Sequence, residues 1–184
     1  MRSLFLLALL IGAPLADAAD FTILRPQQSS LVFVSKQMGV PVDGSFTKFD
    51  ARLAIDPAKP ESGTARIDID VSSIDVGSQD AYAEVMGGSW FDAAKYPKAS
   101  FVSSKVTRLT AGRYEVAGRM TIRNVTRDVK APFTMEQKAD TLLIDGAFPI
   151  NRLDYGIGSG IWGDTDTVAN EVQIHFRFTV ASKK

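Results

Sequence analysis

The sequence predicts an all-β domain, built as an antiparallel barrel of eight strands with a short helical insertion. Apolar and polar residues alternate over four long segments, the period-two pattern of strands with one buried face. Short polar turns separate the segments, so consecutive strands are expected to be antiparallel neighbours. Several segments run for nine or ten residues, which is long for a small two-sheet sandwich and favours the barrel over that alternative.

Eight segments carry the strand pattern, four of them with clear alternation and four more weakly. In chain order the predicted strands cover residues 30–35, 46–55, 65–72, 98–106, 113–122, 125–135, 142–150 and 171–180. Turn residues lie between these segments, among them Asp43-Gly44, Asp56-Pro57 and Asn124. Residues 79–87 break the alternation and predict one or two helical turns, which Gly87 and Gly88 would end.

The composition excludes several classes of function. A chain of 184 residues predicts one domain. Its 21 basic and 21 acidic residues give zero net charge, which argues against a nucleic-acid partner bound through phosphate contacts. It contains no cysteine and one histidine, which excludes disulfides, iron–sulfur clusters, structural zinc and a cysteine nucleophile. His175 falls on the polar row of the last strand, so we predict a non-enzymatic protein without metal or cofactor.

Residues 1–18 have the pattern of a cleavable signal peptide. Arg2 precedes an apolar run over residues 4–11, and Ala16-Asp17-Ala18 is a small-x-small cleavage site. The apolar run is shorter than the roughly 20 residues that a bilayer span needs, and no later segment is long enough either. We therefore expect a signal peptide over residues 1–18, a barrel domain over residues 19–184, and a periplasmic or secreted location.

The inward-facing rows mix large apolar residues with small ones. The predicted interior residues, which are the candidates for binding an apolar ligand, are Phe33, Phe49, Leu53, Ile67, Ile69, Val71, Phe101, Tyr114, Val116, Met120, Phe133, Phe148, Ile174 and Phe176. Small residues such as Ala65, Gly118 and Gly146 share these rows. An eight-stranded barrel lies at the border between a filled core and a hollow one, so both outcomes remain open at this point.

Five polar residues are candidates for the mouth of such an interior. They are Asp80, Arg127, Asn151, Arg152 and Asp154. For Arg152 and Asp154 the alternative is a surface ion pair worth less than about 1 kcal/mol.

Several stretches together resemble the YceI family of exported, lipocalin-like proteins. They cover residues 30–40, 42–49, 71–77, 90–101, 114–126 and 150–157. The most specific of them reads WFDAAKYPKASF, at residues 90–101. The resemblance implies an eight-stranded lipocalin-like barrel whose interior holds a long apolar molecule, typically a quinone tail or a polyprenyl chain. It also implies a periplasmic or secreted protein without established catalytic machinery.

The chain departs from the family pattern near the expected mouth. Family members often carry histidine where Gln37 stands, and Arg-Asp followed by His-Leu where Gln79-Asp80 leads to Tyr82-Ala83. These departures remove basic groups from that region.

The hypothesis that follows is an exported isoprenoid-binding or lipid-binding protein, acting in transport or sequestration. Its partners would be an isoprenoid or another long-chain lipid and, transiently, the cell envelope, with the oligomeric state open and a dimer among the options. One alternative is an enzyme acting on an apolar substrate, with Asp80 or Asp154 as a buried acid of raised pKa. The other is a solid-core interaction protein that contacts its partner through an exposed patch around Trp90, Phe91 and Trp162.

Overall fold

The computed structural model describes residues 21–183 and shows one curled antiparallel sheet of eleven strands with a single α-helix in that range. The strands are β1 (Phe21–Leu24), β2 (Ser30–Gln37), β3 (Val40–Phe46), β4 (Phe49–Ala54), β5 (Thr64–Asp70), β6 (Ile74–Asp75), β7 (Lys98–Thr110), β8 (Arg113–Ile122), β9 (Val125–Lys138), β10 (Thr141–Asn151) and β11 (Glu171–Ser182). The helix is α1 (Gln79–Met86). The predicted signal peptide lies outside the described residues.

The eleven strands occupy eight strand positions around the barrel, because three of these positions are each divided between two shorter strands. A 3-10 turn at Pro26–Gln28 separates β1 from β2, yet both strands pair with β11. Residues 47 and 48 separate β3 from β4, and a 3-10 turn at Val71–Ser73 separates β5 from β6. The predicted antiparallel barrel is therefore confirmed, whereas β1, β3 and β6 are additional strands that the sequence does not predict.

The sheet closes on itself through the short strands. The backbone N–H of Phe21 in β1 donates to the carbonyl of Ile55, just after β4, at 3.0 Å, and the reciprocal bond is 3.3 Å. At the other end, β3 pairs with β6 through Phe46 and Ile74. Closure of this kind satisfies backbone groups that an open sheet would leave unpaired at its edges.

The long strands β7 to β11 follow the predicted alternation. The turn between β8 and β9 consists of Arg123 and Asn124, whose φ angles of 49° and 62° are typical of a tight hairpin turn. This turn sets the register Ile122 opposite Val125, and it places Met120 and Phe133 on the inner face.

The helical insertion forms as predicted. The Ser78 hydroxyl caps α1 by accepting a hydrogen bond from the Ala81 N–H at 3.2 Å, and Gly87 ends the helix. The segment that follows α1 packs Trp90 and Phe91 against the core. Within residues 21–183, no helix has both the length and the hydropathy to cross a bilayer.

The connection between β10 and β11, residues 152–170, is the main departure from expectation. Its glycine-rich part, residues 156–160, shows no strand or helix pattern in the sequence. The structure instead shows two 3-10 turns, Arg152–Tyr155 and Gly160–Gly163, in a loop organised around the side chain of Arg152.

Candidate ligand-binding cavity

The barrel is hollow. Its interior contains a cavity of about 560 Å³, within the range usual for small-molecule sites. Trp90, Phe91 and Trp162 line this cavity and are half-buried rather than exposed. The solid-core alternative, with an exposed aromatic patch at these three residues, is therefore wrong.

Most of the predicted interior residues line the cavity. Eleven of the fourteen do so, namely Phe33, Leu53, Ile67, Ile69, Phe101, Val116, Met120, Phe133, Phe148, Ile174 and Phe176. Phe49, Val71 and Tyr114 pack in the hydrophobic core, as predicted for interior residues, but they lie outside the cavity lining. Tyr114, for example, stacks on Phe133 with ring centroids 5.4 Å apart.

Several lining residues were missed because they lie outside the alternating rows. Phe46, at the end of β3, and Phe91, after α1, form an aromatic wall with Phe33; the successive ring centroids are 5.8 and 6.2 Å apart. The adjacent aromatic residues Trp90 and Phe91 in the sequence were the available signal. No periodicity in the sequence places these two residues inside the barrel.

Three glycines leave room for neighbouring phenyl rings at the barrel wall. Phe33 lies opposite Gly44 and Phe176 lies opposite Gly146, while Phe101 lies beside Gly118. A Cβ atom at any of the three glycines would approach the neighbouring ring closer than 3.0 Å. Each of these three rings therefore occupies the space over a glycine backbone.

The charged groups of the lining are confined to one end. They are Asp80 and Glu84 on α1, and Arg152 at the start of the β10–β11 loop. The Trp162 Nε1–H of this loop donates to a carboxylate oxygen of Glu84 at 2.6 Å. The helix and the loop thus meet across one end of the cavity, which we call the α1 end.

Arg152 is buried at the α1 end, with 2% of its surface exposed. Its five N–H groups donate at 2.7–3.0 Å to carbonyl oxygens of its own loop, those of Ile157, Gly158, Trp162, Val168 and Ala169. Burial lowers the pKa of Arg152 from its ordinary value. The side chain of Arg152 therefore organises the loop. It does not form the alternative surface ion pair with Asp154, and it has no free donor with which to bind a headgroup as predicted.

Of the other four predicted mouth residues, one lines the cavity and three do not. Asp80 lines the cavity as expected, but Arg127, Asn151 and Asp154 do not. Arg127 and Asp154 lie instead where their charges act on the phenol of Tyr155, which is buried in the core outside the lining. The mouth prediction is therefore wrong for these three residues.

The groups considered for catalysis lie on the surface. His175 is exposed on β11, in agreement with its place on the polar row. Asp80 and Asp154 are both exposed, so neither is the buried acid that the enzyme alternative requires. Among residues 21–183, no group of three or more His, Asp or Glu side chains is arranged to hold a metal ion.

Tyr155 predicts a loss of stability at alkaline pH. Burial raises its pKa to about 12; the positive charge of Arg127 opposes this rise and the negative charge of Asp154 adds to it. In the unfolded chain the phenol ionises near pH 10. Between about pH 10 and 12, ionisation therefore favours the unfolded chain, and the free energy of unfolding should fall as the pH rises.

The Tyr155→Phe variant tests this pH dependence. We expect urea unfolding at pH 9, 10 and 11 to show a shallower decline in stability for the variant than for the unaltered protein. Equal declines in the two proteins would contradict the assignment to Tyr155.

Comparison with known proteins places the chain among related sequences and structures. A family model described as YceI-like domain matches residues 23–180. A UPF0312 protein of Pseudomonas savastanoi pv. phaseolicola is 30% identical over 167 residues, covering 85% of this chain and 87% of the relative. The crystal structure of BcnA from Burkholderia cenocepacia superposes with a TM-score of 0.83 at 42% identity, covering 85% of this chain and 98% of that one.

A more distant structure shares the fold. It is a polyisoprenoid-binding domain from Saccharophagus degradans, with a TM-score of 0.68 at 17% identity, covering 90% of this chain and 99% of that one.

Proposed function

The chain belongs to the YceI-like domain family, and from that premise we propose that it binds the long apolar chain of an isoprenoid, such as a quinone tail or a polyprenol. The protein would be a carrier or sequestering protein that holds the isoprenoid inside its barrel without a covalent step. The observation that carries the proposal is the cavity of about 560 Å³, whose walls are almost entirely apolar. The Saccharophagus degradans domain with the same fold is described as binding a polyisoprenoid, which supports the same ligand class.

The energetics of such a cavity favour a long, weakly functionalised ligand. Each buried methylene contributes about 0.8 kcal/mol, so a chain of about twenty carbons would gain more than 10 kcal/mol before costs. Ordering the flexible chain and restricting its motion offset much of this gain. Apolar walls therefore select by length and bulk, and the choice among headgroups falls to the α1 end.

The polar end of the ligand is expected at the α1 end. Asp80, Glu84 and Trp162 lie there, whereas Ile55, Val106 and Phe178 line other parts of the cavity without polar side-chain atoms. The tail would then extend along the barrel, over the phenyl rings that lie against their glycines.

Extraction of the natural ligand tests the proposal directly. The protein would be purified from the envelope fraction of its own host and analysed by native mass spectrometry, then extracted with organic solvent for identification of the bound lipid. We expect one long-chain isoprenoid per protein chain, and a protein mass that lacks residues 1–18 if export and cleavage follow the predicted signal peptide. An empty protein that also refuses added quinones and polyprenols would contradict the proposed function.

A further inference from the structure

The charged side chains at the α1 end differ in their capacity to form hydrogen bonds with a ligand. The cavity lining contains two carboxylates, Asp80 and Glu84, spaced four residues apart and so on neighbouring turns of α1. Its one cation is Arg152. The charges alone do not exclude an anionic headgroup bound at Arg152.

Arg152 has no hydrogen-bond donor left for a ligand. A guanidinium group carries five N–H donors, and all five are taken by loop carbonyls at 2.7–3.0 Å. An anion could recruit one of these donors only by leaving a buried carbonyl without its partner, which is costly. Arg123, which joins Gly88 and Gly156 next to this end, likewise donates to backbone carbonyls.

The carboxylates, in contrast, remain able to meet a ligand. Glu84 accepts one hydrogen bond from Trp162, and Asp80 is exposed beside the cavity. A phosphate or carboxylate headgroup here would face two negative charges without an available positive one. A hydroxyl or amide headgroup would instead find acceptors for its own donors.

We propose that the cavity accepts uncharged headgroups that donate hydrogen bonds, such as a hydroxyl or an amide, and rejects phosphate and carboxylate headgroups. This inference rests on the proposed function, since it specifies the headgroup class of the same apolar ligand.

Farnesol and farnesyl phosphate form a matched pair that tests the inference. Both carry the same tail, and calorimetric titration at neutral pH, below the concentration at which either ligand aggregates, would give their dissociation constants. We expect farnesol to bind at least tenfold more tightly than farnesyl phosphate. Equal or tighter binding of the phosphate would overturn the inference and leave the proposed function intact. If neither ligand binds, the proposed function fails, and the inference fails with it.

A double variant identifies the groups responsible for the rejection. Asp80→Asn together with Glu84→Gln removes both charges and retains the amide oxygen that can accept from Trp162. We expect the preference for farnesol over its phosphate to narrow to less than about a third of its original ratio. Glu136→Gln, which removes an exposed carboxylate of β9 outside the cavity lining, is the matched control and should leave the ratio unchanged. A double variant with the same ratio as this control would contradict the role of the two carboxylates.

Discussion

Replacing Arg152 by leucine is expected to lower the free energy of unfolding by at least about 3 kcal/mol. The substitution leaves five loop carbonyls without the N–H donors that now satisfy them. The guanidinium nitrogens lie 2.7–2.9 Å from four of these carbonyl oxygens and 3.0 Å from the fifth, that of Ala169. Some of these carbonyls can be hydrated if the loop opens, but opening the loop exposes the apolar residues beneath it. Since small domains are stable by only about 5–15 kcal/mol, the loss should be obvious in urea unfolding followed by tryptophan fluorescence.

A lysine at the same position separates charge from geometry. Arg152→Lys keeps the positive charge but offers three donors from a single atom, which cannot reach carbonyls spread around a planar guanidinium. We therefore expect most of the destabilisation to persist in the lysine variant.

The control is an arginine that makes an exposed ion pair. Arg177 on β11 contacts Asp145 at 2.6 Å while 60% of its side chain is exposed. Arg177→Leu should cost less than about 1 kcal/mol. Similar losses for Arg152→Leu and Arg177→Leu would show that Arg152 does not organise the loop.

Adding one methyl group at Gly44 is expected to shorten the longest chain that the cavity accepts. A Cβ atom there would collide with the ring of Phe33, a lining residue, and with no backbone atom among its three nearest contacts. The ring must turn away from the wall and into the cavity. If the ring takes the room of two methylenes, the affinity for a long ligand should fall by about tenfold or more.

Gly44 is a better choice than the other two glycines. At Gly118 the added atom would also meet the backbone carbonyl of Val102, and at Gly146 that of Pro132. Substitutions there would disturb the sheet itself, so a loss of binding would not report on the cavity alone.

A series of primary alcohols of increasing chain length measures the effect. We expect Gly44→Ala to bind short alcohols like the unaltered protein and to lose affinity for the longer ones. Gly88→Ala is the matched control, because an added Cβ at Gly88 meets nothing within 4 Å. Adding Phe33→Leu to Gly44→Ala should restore part of the binding of long chains. A Gly44→Ala profile identical to that of Gly88→Ala would contradict the role of the glycine.

The sequence by itself determined the long strands and the helix. In segments such as residues 113–122 and 142–150, the face of each side chain follows from the pleat alone, so alternation is sufficient to place it. The Ser78 cap and the glycines after α1 act within a few residues of the helix, and the sequence shows them directly. The inner lining of these strands could therefore be predicted largely without coordinates.

The short strands could not be predicted in the same way. Phe21 pairs with Ser182 and forms a bridge with Ile55, so the place of β1 depends on residues far along the chain. Only the folded barrel brings these partners together.

Arg152 and the hollow interior were decided by tertiary structure alone. The partners of Arg152 are backbone carbonyls, which leave no signature in side-chain sequence, so a buried arginine could not be distinguished from a surface one. Likewise, whether a phenyl ring fills the barrel or lies against its wall depends on the residue across the strand, as with Phe33 and Gly44. Strand register therefore decides whether this barrel has room for a ligand, and register depends on long-range pairing that local sequence patterns do not specify.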